Sequence, residues 1–230
     1  MIHYDHVSQS RPNSATSVFQ RSTHCFLIHE SSVPWLLFVV LISIYLSFPT
    51  RNYYWDGITF AQTIESAHQF KSLIQPSHLL YNVIGFVIYK LLLTVGLKLR
   101  ALTALQILDA VFSSVAAVVF FLTLKSAFRS LYLASWLTLL FGLSATWWKY
   151  STDADVYIVS VLLLLIAFRF ILPTAKPRPL VVAVFYWLSM CFHELAIFFG
   201  PVIMAGLLYQ HESARQKVRS LTIFAWRLLY

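Results

Sequence analysis

The chain has 230 residues, of which 59% are hydrophobic and only 11% charged, with a mean hydropathy of +0.71 and a formal net charge of +8. That balance excludes a water-soluble domain, which needs a charged outer surface. It also argues against nucleic acid as a partner, because the basic residues fall in short stretches between apolar runs, where they suit membrane topology and anionic lipid.

Residues 1–32 are rich in Ser, Thr, Asn and Gln and carry Arg11, Arg21 and four of the eight histidines. With so little to bury, they are expected to form a mobile polar tail on the cytoplasmic side. The histidine spacing fits no metal-ligand pattern. The first apolar run, 33–49, has neither nearby basic residues nor a small-x-small cleavage site, so it is expected to be a retained span rather than a secretory signal. Further runs follow at 79–97, 101–124, 131–148, 156–172 and 180–209, with lengths close to or above those that cross a bilayer. The chain closes on LTIFAWRLLY, which is expected to open another such segment, so the sequence is expected to be a fragment or a short relative of a larger protein. Cys25 in the tail and Cys191 in an apolar run are expected to be unrelated thiols. The predicted fold is all-α: a polytopic transmembrane bundle over 33–230, with about six to seven hydrophobic helices and amphipathic helices in the first outer loop. The predicted location is the plasma (inner) membrane.

Lys and Arg accumulate in short cytoplasmic loops. If the 79–97 run dips into the outer leaflet without crossing, then Lys125 with Arg129, Lys176 with Arg178, and Arg215 with Lys217 and Arg219 all fall inside. The run 180–209 then forms two short segments that turn near His193 and Glu194, and the acidic sites face outward. If 79–97 crosses, Lys98 and Arg100 lie inside and Asp56 is separated from Asp153 by the membrane.

Two stretches concentrate the chemistry. In FPTRNYYWDGITF, Tyr53, Tyr54 and Trp55 are the aromatics expected at the headgroup level, and Asp56 stands beside them as the N-cap of a helix from Gly57 to about Phe70. Arg51, Lys71 and His78 supply donors for a phosphate near the same surface. In WWKYSTDADVY, Trp147 and Trp148 mark the end of one span, and Lys149 to Asp155 is expected to form a tight outer loop. Asp153 and Asp155 there can chelate a divalent cation such as Mg or Mn, or bind sugar hydroxyls; N-capping of the next span by Asp153 is the structural alternative. Asp109 lies inside an apolar run, either neutral or paired with a group such as Gln106. Arg169 snorkels to the headgroups at the inner end of its span.

Together, the aromatic-Asp stretch after a first span, PSHLLY at 76–81 and the second acidic stretch resemble the GT-C superfamily of membrane glycosyltransferases. The likeness is to relatives of the protein O-mannosyltransferases and aminoarabinose transferases, and it covers about 33–210, the amino-terminal membrane half of such an enzyme. It implies a sugar donor on a polyprenyl phosphate, an acceptor of unspecified kind, Asp56 as the catalytic carboxylate, and Asp153 and Asp155 near donor or metal. PSHLLY lacks the paired prolines of the family stretch. The resemblance also implies a phosphate contact for His193, with Lys149 beside the same site. Two other classes stay open: a transporter or non-catalytic membrane subunit that uses intramembrane acids, and a relative that keeps the fold without activity.

Overall fold

A computed structural model describes residues 30–172, 178–210 and 214–229. The expectations for the polar tail, for Cys25 and for Lys176 lie outside the described residues, as do those for the side chains of Arg215 and Lys217. Among the described residues the fold is all-helical, with a single isolated bridge between Gln75 and His78 and no strand.

The helices are α1 (Val33–Ser47), α2 (Trp55–Glu65), α3 (Tyr81–Thr94), α4 (Ala101–Phe128), α5 (Leu131–Gly142), α6 (Ala145–Thr152), α7 (Tyr157–Ile171), α8 (Pro179–Phe192), α9 (Gly200–Tyr209) and α10 (Ala214–Leu229). Short 3-10 turns at Phe70–Leu73 and Glu194–Phe199 complete the order. Pro34 opens α1, where its missing N–H costs nothing, and Pro49 forbids helical backbone just before it, so α1 ends at Ser47.

Among the described residues only α4 is long and apolar enough to cross a membrane alone, and α5 with α6 qualifies as a pair bent by 63°. The other apolar helices are shorter: α1, α3, α7, α8, and the Glu194–Tyr209 stretch. The expected bundle of six to seven hydrophobic helices is therefore matched in helix type but not in span length.

At about 1.5 Å per residue α4 is some 42 Å long, and it packs against α1, α2, α3, α5, α6 and α7. Small buried residues on it, Ala104, Ala110, Ser113, Ala116 and Ala117, let those neighbours approach closely. Elsewhere the same device recurs, with Gly142 against Leu41 and Gly206 against Ile171.

The long-range contacts give each helix a direction. Thr50 and Thr152 meet near the start of α4, through Gln106, whereas Glu30 reaches Lys125 near its end. Ser160 near the start of α7 reaches Ser189 near the end of α8, and Gln210 after α9 reaches Phe170 and Leu172 at the end of α7. Successive helices α1, α4, α5 with α6, α7, α8 and α9 thus alternate between two ends of the bundle. α3 is the exception. Tyr81 sits level with Asp109 and Gly85 level with Leu105, so α3 rises from about 12 Å below the start of α4 and runs past it, never reaching the Phe128 end.

Candidate functional site

Everything acidic that the sequence singled out gathers at one end of the bundle. The segment from Asp153 to Val156 links α6 to α7, and the start of α2 packs directly on it. A Cβ added at Gly57 would stand 2.6 Å from the Ala154 carbonyl oxygen, so only glycine allows this approach.

Asp153 is fully buried and its carboxylate is consumed by the protein. Oδ2 accepts from the Lys149 ammonium at 2.8 Å and from the Tyr54 backbone N–H at 3.2 Å, while Oδ1 accepts from the Ala154 N–H at 2.9 Å. Lys149 also donates to the Asn52 carbonyl and lies over the Tyr54 ring, 4.5 Å from its centre. Asp153 therefore anchors the entry to α2 and does not cap the helix that follows it. That capping falls to Asp155, whose Oδ1 accepts from the first N–H of α7, at Tyr157, at 3.3 Å. Burial, together with the charges of Asp153 and Asp56, pushes the Asp155 carboxyl up to about 7.

Asp56 occupies the second position of α2, not the N-cap. The cap is Tyr54, because extended backbone ends there, and the helix stops at Glu65, short of the expected Phe70. Asp56 stays exposed in the first turn, where the helix dipole favours a negative charge. Lys149 to Thr152 is likewise helical, as the second half of α6, because Ser144 caps that helix by accepting from Trp147 N–H. Trp147 is buried in the core and does not mark a surface.

Aromatic and imidazole rings line the approach to Asp155. Tyr54 stacks on Tyr150, Tyr150 meets Tyr157 edge-on, Tyr157 stacks on His193 at 4.4 Å, and His193 meets His78 at 5.0 Å. The Nδ1 of His193 accepts from Leu195 N–H, which leaves the ring proton on Nε2. Burial, and then the neighbouring His78, lower its basicity and hold it neutral. Sequence reasoning named His78 and His193 but missed the roles of Tyr150 and Tyr157; their seven-residue spacing across the acidic segment was the available signal.

Arg51 and Lys71 are exposed, and among the described residues their side chains form no ion pair with the acids. Gln106 does not pair with Asp109. It donates to the Thr50 and Thr152 carbonyls at 3.1 and 2.9 Å, while the partners of Asp109 are the Tyr81 hydroxyl and the Asp155 backbone N–H.

Among the described residues no group of three or more His, Cys, Asp or Glu is placed to hold a metal. The donors also do not suit the divalent cation expected of Asp153 and Asp155, since an ammonium already occupies the first carboxylate and burial favours the protonated form of the second.

Comparison with known proteins gives no matching family model, no similar curated protein and no similar solved structure.

Proposed function

We propose that this chain is a multi-span membrane protein whose acidic end is the reaction centre of a GT-C-type glycosyltransferase. It draws its sugar from a polyprenyl phosphate at the outer membrane face. The observation that carries the reading is the meeting of Asp56, Asp153 and Asp155 at a single end of the bundle, lined by rings and by Lys149. This orientation places Lys125, Arg129 and Arg178 on the cytoplasmic side and leaves Arg51, Lys71, Lys98 and Arg100 on the outer one. The short helices α1, α7, α8 and α9 count as passes in this reading, with local thinning of the bilayer making up their length.

In the transfer step Asp56 takes the proton of an acceptor hydroxyl, whose oxygen then bonds to the anomeric carbon. The bond from that carbon to the phosphate oxygen breaks, and its electron pair leaves with the polyprenyl phosphate. Arg51, Lys71, the His78 ring and the Nε2–H of His193 offer donors for the departing charge, with Lys149 supplying a weaker field because Asp153 offsets it. Asp155 hydrogen-bonds a sugar hydroxyl, and the exposed parts of Tyr54 and Tyr157 left by their stacking partners contact the sugar ring. No step is routed through a metal.

A transporter reading calls for acids stacked through the bundle. Asp109 instead bonds to the acidic segment, and no described acid continues the path below it. The test is sugar transfer by the full chain in lipid vesicles loaded with labelled polyprenyl-phosphate sugars. Asp56→Asn should lower turnover at least about 100-fold while membrane insertion persists, in line with loss of a general base. Undiminished turnover would sink the role of Asp56, and a rate that falls on chelation would restore a metal to the centre.

A further inference from the structure

Asp109 is the only acid embedded in α4, about 12 Å from its start, and it is fully buried with no cation paired to it among the described residues. A charged acid is disfavoured in the middle of a spanning helix, where no water reaches it. Its bonds show what is gained. Oδ2 accepts from the Tyr81 hydroxyl and from the Asp155 backbone N–H, each at 2.8 Å, whereas Oδ1 has no partner.

The Asp155 N–H has no acceptor of its own kind nearby. α6 ends with the Asp153 N–H bonded to Lys149, and α7 does not begin until Tyr157, so the intervening backbone is neither helix. A buried N–H in that gap requires a side-chain acceptor, and α4 delivers one.

We infer that Asp109 is a positioning residue: by gripping the Asp155 backbone it sets the height and direction of the Asp155 carboxyl, while Tyr81 braces Asp109 from α3. This also explains why α3 lies level with the acidic end, since its first residue completes the brace. The inference rests on the glycosyltransferase reading only for the importance of Asp155. The hydrogen bond itself is independent of any reaction.

Hydrogen–deuterium exchange of the full chain in lipid nanodiscs, followed at the Asp155 amide, is the test. In Asp109→Leu the amide should exchange at least about tenfold faster than in the parent protein. Asp109→Asn keeps a carbonyl oxygen as acceptor and should stay within about threefold. Should the leucine variant not fold, Tyr81→Phe carries the test, with a rise of about threefold from the loosened brace. Equal protection in the parent, Leu and Phe proteins overturns the inference. So does an Asn variant as exposed as the Leu one, which would mean that the charge matters and not the grip. In the transfer assay, Asp109→Leu should reduce kcat about tenfold with KM for the lipid donor unchanged, and Asn should rescue it. A parent protein without transfer activity ends the glycosyltransferase reading and leaves the exchange result to decide this one.

Discussion

The two ends of the bundle are held by different physics. Towards the Phe128 end of α4, Val33, Leu37, Phe121 and Ala134 pack as an apolar cluster, and the Lys125–Glu30 ion pair lies at the surface. Towards the Ala101 end, polar ties join residues far apart in sequence. Tyr54 holds Asp153, Gln106 holds both Thr50 and Thr152, Asp109 holds Asp155, and the Leu80 N–H donates to the Cys191 carbonyl. Lipid tails are as apolar as leucine, so the first kind of contact fixes shape through close packing alone. Directional bonds choose one register; most of them lie where the acids meet, and the far end has its own in Gln210, which holds the Phe170 and Leu172 carbonyls.

The sharpest way to break this contrast is Gln106→Leu. It removes the donor to the half-buried Thr50 carbonyl and one of the two donors to the Thr152 carbonyl, which keeps the Thr50 N–H, and should cost about 2–3 kcal/mol, read as a lower thermal midpoint in detergent. Gly57→Ala comes next. The added methyl meets the Ala154 carbonyl, and the resulting shift of α2 should cost about 1–3 kcal/mol and loosen protection of the Tyr54 amide.

A pH series sharpens the same contrast. The Asp155 carboxyl titrates near 7 in the folded protein against 3.8 ordinarily, so folding favours its protonated form. Its contribution is therefore full below pH 3.8 and is lost as pH rises through about 7. The Asp155→Asn variant should melt progressively higher relative to the parent protein across that window; parallel curves would contradict the burial argument. The smallest effect belongs to the opposite end, where Lys125→Ala, at an exposed pair, should change stability by less than about 1 kcal/mol.

Much of the helical plan was legible in the sequence, because apolar runs and their Pro and His interruptions mark where segments begin and end. The 101–124 run became Ala101–Phe128, and the turn at His193 separates α8 from the Glu194–Phe199 stretch. What was not legible depended on partners. Asp56 looked like a cap because Asp, Gly and a helical pattern follow one another, yet the backbone of Tyr54 is caught by Asp153, 99 residues away, and α2 starts sooner. α6 was hidden by its polar half, KYST, which resembles a loop until Ser144 is seen to cap it. Tyr81 was unreadable as a partner of Asp109 for the same reason, since nothing local announces a contact across two helices.

The 63° elbow between α5 and α6 has its own consequence. A helix that breaks leaves carbonyls bare, and at this corner the Tyr45 hydroxyl of α1 closes on the Gly142 oxygen at 2.7 Å. That bolt ties the last residue of α5 to the first upright of the bundle, so the corner from which α6 departs towards Lys149 and Asp153 is pinned to α1.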